Sequence, residues 1–521
     1  MDPHPPVLDA DPPLAVHATP DPVGHPRRWA TLAVMCLAVF VTVLDGTIVN
    51  VALPTLAVDL GATTRQLQWT VDAYLLVFTG LLLAAGGFGD KFGRKRALLL
   101  GLVVFGATSA YAGSVGSAEE LIVGRALMGI GAAFIFPATL AVITHVFRDP
   151  RERAKAIGIW SAISGMAVAA GPISGGWLLE HFWWGSVFFV NVPIVVVVVA
   201  ATWFVVPESR EHDAPRLDLA GVILSIAAIG ALVYTIIEAP ERGWSAPLTL
   251  GGFAAAGVLL VAFVAWELRV ESPMLPVGIF RNLRFSAASV SITSAFFALF
   301  GFIFLITQYF QLTRGYSPLE AGVRTLPVAT SIAAAAVLSP RVVHAVGTTK
   351  VVRTGLGLMA VSFVWIGLRV DVGTAYLEIV GQMVLLGLGL GATTAPATES
   401  IMGALPPDKA GVGSAVNDTT RELGGTLGVA IIGSVFSSLY VGALDGAGGV
   451  FAQLPPEAQA ATKESVAAAG VIARDLGPNA PAFIQQVNDA FLSGLGAACF
   501  VSAGVALAGA VFASRVLPAR A

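Results

Sequence analysis

The stretch GGFGDKFGRKR, residues 86–96, separates two long apolar runs and sets Lys91, Arg94, Lys95 and Arg96 directly after the first of them. Basic residues there anchor a membrane helix on the positively charged side of the bilayer. Anchoring does not call for Gly86, Asp90 and Gly93 at these offsets. Glycines permit a tight turn and close helix approach, and Asp90 can meet basic groups or the positive end of a neighbouring helix.

The rest of the chain supports a membrane reading. Over 521 residues, 56% are apolar and 12% charged, with a mean hydropathy of +0.79, which fits no ordinary soluble class. A spanning helix needs about 20 mostly apolar residues. Such runs recur at 29–55, 67–89, 97–116, 120–144, 156–179, 184–206, 217–238, 246–267, 285–311, 319–339, 350–368, 377–399, 411–440 and 490–514. The polar/apolar alternation of a membrane β-barrel is missing, so the expected fold is an all-α polytopic membrane protein with fourteen transmembrane helices. An even number places both termini on one side. Of the 30 Lys and Arg, only Arg65, Arg242, Arg314, Arg324, Arg369, Lys463 and Arg474 fall on the opposite side, and Arg125 and Arg421 fall within spans. That imbalance puts the termini in the cytosol, although removing helices seven and eight as a pair would leave the count unchanged.

Residues 1–28, rich in Pro, Asp and His, read as a disordered cytosolic tail, and 515–521 as a second tail. The long outer loop 441–489 is polar enough to be solvated and partly helical. Cys36 and Cys499 sit in apolar runs without metal or disulfide spacing. No nucleotide-binding or hydrolytic motif stands in a loop where it could work. The chain is therefore not expected to be an enzyme or to hold a cofactor or metal.

With Gly86, Asp90, Gly93 and Arg94 at their offsets, residues 86–96 resemble the loop between helices two and three of the major facilitator superfamily, of the form GxLxD[RK]xGR[RK], with Phe88 in place of Leu. LDGTIVNVALP (44–54), LIVGRALMGIGAA (121–133), GMAVAAGPISGG (165–176), ITQYFQLTRGYSPLEAGVRTLP (306–327) and SAVNDTTRELGGTLGVA (414–430) narrow the resemblance to its fourteen-helix drug:proton antiporter branch. Met128 stands where that branch has Gln, and Gly185 and Ser186 stand where an Arg-Trp pair precedes FFVNVP. SPRVVHAVGTTKVVR (339–353) keeps only an echo of a second hallmark loop. The resemblance implies two six-helix bundles, 29–206 and 285–514, built from inverted repeats and rocking about a central cavity, with helices seven and eight inserted within 207–284. It implies that Asp90 and Arg94 latch the cytosolic side when the cavity faces out. It also implies that Gly165, Gly171, Pro172, Gly175 and Gly176 seal the cavity against leak.

Asp45 is the only charge between Ala30 and Val58. Placing an aspartate mid-helix costs about 2.5–3.5 kcal/mol on insertion scales, so it should face a cavity or a partner. Arg125 is the expected counter-charge. A pairing that forms in one state and breaks in another would couple Asp45 to protons; the alternative is a static contact with Arg125 or Asn50. Asp72 is a second proton-coupling candidate, about one turn inside the outer end of helix two, where water can reach it. Asp418, Arg421 and Glu422 share one face of helix thirteen at i, i+3 and i+4, so they either neutralise one another or serve a substrate site with Asn417. Glu399 is read as lying at the outer end of helix twelve. Gln308 and Gln311 want partners at membrane depth and, with Asn50, Asn417, Asp418 and Arg421, are the expected residues of the substrate cavity, whereas the helix-nine aromatics read as packing rather than drug contacts.

The expected function is proton-coupled export of apolar or amphipathic organic compounds, such as antibiotics or dyes, from the plasma membrane. An uptake symporter of the same fold, or a non-transporting membrane sensor or enzyme, is the alternative. The expected partners are a small organic substrate, protons and the lipid bilayer, not nucleic acid, with the chain working as a monomer.

Overall fold

Long apolar runs close their own backbone hydrogen bonds, and polar caps end them. Thr63 and Gln66 form a reciprocal capping box at the start of the second span, and Asp149 accepts from the Arg151 and Glu152 amides before the fifth. In the computed structural model, residues 25–211, 217–405 and 410–517 are described, so the expected tail at 1–24 and the last four residues lie outside them. The described residues contain no strand and fourteen helices of spanning length. These are α1 Arg28–Asp59, α2 Thr64–Phe92, α3 Arg94–Ala112, α4 Ala118–Val146, α5 Arg151–His181, α6 Ser186–Val205 and α7 Leu219–Arg242. Then follow α8 Pro247–Glu267, α9 Leu283–Thr313, α10 Pro318–Val346, α11 Thr348–Arg369, α12 Tyr376–Gly403, α13 Gly413–Asp445 and α14 Gly477–Val516.

Helices α1–α6 pack on one another, chiefly α2 and α3 on α4 and α1 on α5. Helices α9–α14 form a second group, with α9 on α13, α10 and α11 on α12, and α11 on α14. The pair α7 and α8 packs on itself and on α2 and α13. The two groups meet where α2 faces α13, α5 faces α10 and α1 faces α9. Among the described residues, the hydrogen bonds across that boundary lie in the half away from the termini: Gln311 Nε2 to Val51 O at 2.9 Å, Gln68 Nε2 to Ala430 O at 3.2 Å, and Leu319 N to Glu180 Oε1 at 3.3 Å. The near halves of α5 and α10 leave Met166 and Val337 exposed. The seam is thus closed at the far end.

Three details depart from the expected spans. Helix α14 starts at Gly477 rather than near 490, because 482–489 contain no helix breaker and bury Phe483 and Val487. Helix α6 breaks at Val190, between Ser186–Phe189 and Asn191–Val205, where Pro193 lacks the N–H that would continue the ladder. Helix α9 ends in a widened turn, in which the Arg314 amide donates to Tyr309 O five residues back at 3.0 Å. The outer loop is less solvated than expected: its short helix Val466–Ala473 buries Val466, Ala469 and Ala473.

Small residues let α3 and α4 touch backbone to backbone. A methyl on Gly131 would lie 2.7 Å from Phe105 N and 2.8 Å from Gly101 O. Gly131→Val is therefore expected to cost at least about 1–3 kcal/mol. Gly158→Ala, with nothing within 4 Å, should be neutral or gain about 0.5–1 kcal/mol from helix propensity. Thermal unfolding of the two purified variants separates these outcomes.

Candidate functional site

Asp45 and Arg125 meet in the core of the first bundle. Arg125 Nη1 lies 2.5 Å from Asp45 Oδ2, and the two side chains are 1% and 0% exposed. Burial of this kind is tolerable only when the remaining donors and acceptors are also met. Here the Arg125 Nε donates to Thr70 O at 3.0 Å, and the guanidinium lies 4.2 Å from the centre of the Tyr74 ring. The second Asp45 oxygen accepts from Asn191 Nδ2 at 2.9 Å, and that amide also reaches Ser109 Oγ at 3.1 Å. Five helices, α1, α2, α3, α4 and α6, thus converge on one ion pair.

Asn50, the alternative partner of Asp45, bonds only its own helix, donating to Gly46 O at 3.2 Å. Five residues along a helix turn the side chain by about 140°, so Asn50 points away from Asp45. Asn191 takes the role expected of it. Its signal was present as an amide in an apolar run beside Pro193, a residue that breaks the helix and brings the side chain to the bundle core.

Asp72 is not reached by water. It is 0% exposed, and both carboxyl oxygens lack a partner. It follows Gln68 by four residues, on the face that meets α13. The expected self-neutralised cluster on α13 does not form either: among the described residues Arg421 makes no ion pair with Asp418 or Glu422. Arg421 instead lies 5.5 Å over the Phe296 ring and donates to Thr398 Oγ1 at 3.2 Å, leaving its Nε buried without a partner. Thr398 donates in turn to Asn417 Oδ1 at 2.9 Å, and Asn417 Nδ2 to Asp418 Oδ1 at 3.2 Å. The shared helix face is real, but α9 and α12 offer Arg421 nearer contacts than its own turn does.

Glu399 lies at the near end of α12, on the side of the termini, because α12 enters from the far side at Tyr376; it is exposed there. Gln308 bonds Phe304 O of its own helix at 2.8 Å. Of the two amides only Gln311, placed on the widened turn, reaches the other bundle. Phe297, Phe302, Phe304, Tyr309 and Phe310 are buried, as the packing reading expects.

The glycines of helix five divide. Gly171 faces Thr47 so closely that a methyl would overlap its Oγ1, and a methyl on Gly175 would lie 2.7 Å from Ile48 Cγ1. A methyl on Gly176 would lie 2.5 Å from Leu319 Cα and 2.6 Å from Pro318 O of α10, while Pro172 O abuts Gly322. These four residues join α1, α5 and α10 at the far end of the seam. Gly165 stands clear, with nothing within 4 Å.

In the hallmark loop Arg94 Nη2 lies 2.7 Å from Asp90 Oδ1, and Gly93 turns the chain at φ +118°. That positive φ disfavours any side chain there, and an added Cβ would also push aside the carboxylate of Glu208. Gly86 faces Pro137 of α4 at an ordinary 3.6 Å. The loop grips the segment after α6: Arg94 N donates to Ser209 O at 2.9 Å, and Glu211 N to Asp90 O at 2.8 Å.

The sequence model of the Major Facilitator Superfamily matches residues 35–429. The chain belongs to that superfamily. It is 37% identical to the multidrug efflux pump LfrA of Mycolicibacterium smegmatis, over 95% of this chain and 97% of that one. It is 34% identical to the tetracenomycin C resistance and export protein of Streptomyces glaucescens, over 96% of this chain and 94% of that one. In fold it is similar to a bacterial homologue of the human lysosomal transporter Spinster in its inward-facing, unoccupied conformation. That match has a TM-score of 0.66 and 18% identity, over 94% of this chain and 98% of that one. As a major facilitator chain of fourteen spans it carries the hallmark loop with Phe88 packed edge-on against Phe134 of α4, ring centres 5.4 Å apart, so an aromatic fills the place of the usual leucine.

Removing one partner of the buried pair leaves the other charge uncompensated. Asp45→Asn is expected to lower stability by about 3–5 kcal/mol, and Asp45→Asn with Arg125→Gln to recover most of that loss. Unfolding midpoints in detergent measure both.

Proposed function

We propose that this major facilitator chain exports apolar or amphipathic organic compounds, antibiotics or dyes among them, in exchange for protons. It works as a monomer in the plasma membrane, with both termini in the cytosol. The observation that carries the reading is the closure of the bundle seam at one end only, in a chain whose relatives over nearly the whole length are named for efflux and export. One closed end and one open end are what alternating access requires. The basic residues collected on the termini side make the open end the cytosolic one.

In this reading cargo enters from the cytosol between the bundles, where α13 presents Asn417, Asp418 and Arg421 beside Phe296. Asp72 lies in the seam that must part and has no protein donor, so a proton is the partner that would satisfy it. Asp45 and Arg125 form the second half of the coupling: a proton on Asp45 would release Arg125, and the five helices around the pair would shift. When the far side opens, Pro172 and Gly176 separate from α10 while Gly171 and Gly175 keep α5 on α1, and Asp90 with Arg94 holds the cytosolic side. Gln311 breaks with Val51 in the same movement.

Two measurements test this. In vesicles with an imposed pH gradient, efflux of a fluorescent cationic dye or of an antibiotic should follow the gradient. It should fall at least about tenfold in Asp72→Asn and in the neutral pair Asp45→Asn with Arg125→Gln, which is 1.4 kcal/mol or more at the transition state. Transport indifferent to gradient and variants alike would rule out proton exchange. Separately, Gly176→Ala should raise proton leak without cargo several-fold by holding the seam apart, whereas Gly165→Ala should leave it unchanged.

A further inference from the structure

We propose that the inserted pair α7–α8 is a rigid part of the first bundle, hinged to the second through residues 268–276, and that its contact with α13 is a third element of the far seal. The inference rests on the alternating-access reading given above. Contacts of α7 with the two bundles are comparable in extent but differ in where they fall along the helix. Against α2 they run from end to end. Leu217 faces Gly87 near the termini, Ile226 faces Gly80, Gly230 faces Leu76, Tyr234 lies 6.1 Å from Trp69 between ring centres, and Glu238 lies 3.1 Å from Arg65. Ile226, Gly230, Tyr234 and Glu238, spaced by four along α7, thus lay one continuous stripe on α2, with Leu217 just before the helix extending it.

Against α13 the contacts occupy only the half of α7 away from the termini. Ser434 Oγ donates to Ile236 O at 2.9 Å, Trp244 Nε1 donates to Ser438 Oγ at 3.0 Å, and Val233, Ile236 and Ile237 pack on Ala430. That is the same half in which Gln68 bonds α13 and α5 closes on α10. A helix fixed to both bundles along its length would prevent them from rocking. A helix tied to one throughout and to the other only at the seal moves with the first.

The connections on either side agree. Before α7, the segment that carries Glu208, Ser209 and Glu211 is bound to the hallmark loop of the first bundle, with Lys95 N donating to Glu208 Oε1 at 3.1 Å as well. After α8, the turn Val277–Arg281 joins the second bundle through Phe280, whose ring centre lies 5.3 Å from that of Phe285. Between them, 268–276 form no helix, and Leu275 N reaches back to Glu267 at 3.0 Å. The hinge therefore falls where regular structure lapses. The hallmark loop, on this view, also clamps the inserted pair to its bundle.

Reversible cross-links test the assignment in the full chain, with Cys36 and Cys499 replaced by Ala. Gly80→Cys with Ile226→Cys joins α2 to α7, where a Cβ on residue 80 would lie 3.5 Å from that of Ile226, within disulfide reach. Ile236→Cys with Ser434→Cys, bridged by a short bis-methanethiosulfonate, joins α7 to α13. The first bridge should leave dye efflux within about twofold of the reduced protein, and the second should reduce it at least about tenfold until reductant restores it. Loss with the first bridge, or tolerance of the second, overturns the proposal. Spin labels at Val103, Val258 and Leu507, all exposed, provide a readout that needs no cargo. The 103–258 distance should stay constant between pH 5 and pH 8 while 258–507 changes. A constant 258–507 with a changing 103–258 would place the pair on the other bundle. If no cargo moves even in the reduced protein while these distances behave as stated, the transport reading fails and the assignment of the pair stands.

Discussion

A charged group inside a bilayer must find its compensation within the protein, and in this chain that requirement draws five helices to one point. Asp45 supplies a carboxylate to α1, Arg125 a guanidinium to α4, and neither can be left without the other in a core from which water is excluded. Thr70 O accepts from Arg125, Asn191 donates to Asp45, and Ser109 in turn bonds Asn191, so α2, α6 and α3 are held in register with the pair. The first bundle is organised around that charge, and its apolar residues fill the space left. In the proposed proton exchange the same arrangement would serve as a switch, because a proton on the carboxylate changes what Arg125 needs from its surroundings.

The meeting of the two bundles obeys a different constraint. Backbones of the two bundles approach closely at the far end because glycines stand where a methyl would collide, at Gly176 and Gly322 between α5 and α10, while Gly171 and Gly175 seat α5 on α1 within the first bundle. Lipid-immersed helices gain little from hydrophobic burial against one another, so such contacts and a few hydrogen bonds carry the association. Gln311 and Gln68 supply those bonds with backbone carbonyls as acceptors. A seam made of tight but few contacts can be broken and remade, as a rocking movement needs.

Around this core the inserted pair and the hallmark loop form one assembly. The resemblance implies that the loop latches one side of the cavity, yet here its residues bind the segment leading into α7. One set of charges can serve both states if Asp90 and Arg94 stay paired, as they are here at 2.7 Å, while their outer faces exchange partners.

The amino-acid sequence by itself determined the number of spans, the family and the partnership of Asp45 with Arg125. Each of these depends on composition, on charge distribution or on the rarity of charge within apolar runs, all of which are local and read in one dimension. It misjudged Asp72, because exposure depends on what packs beside a helix end. It offered Asn50 as an alternative contact for Asp45 and did not single out Asn191, because closeness along the chain is not closeness across a bundle. It left Arg421 between neutralisation on its own helix and a substrate site, since the ring of Phe296 and hydroxyl of Thr398 that it meets belong to helices distant in sequence. Which helix-five glycines touch α10, which end of the seam is closed and which bundle holds α7 were decided by the tertiary structure alone, because each is a relation between helix surfaces whose facing directions no single segment encodes.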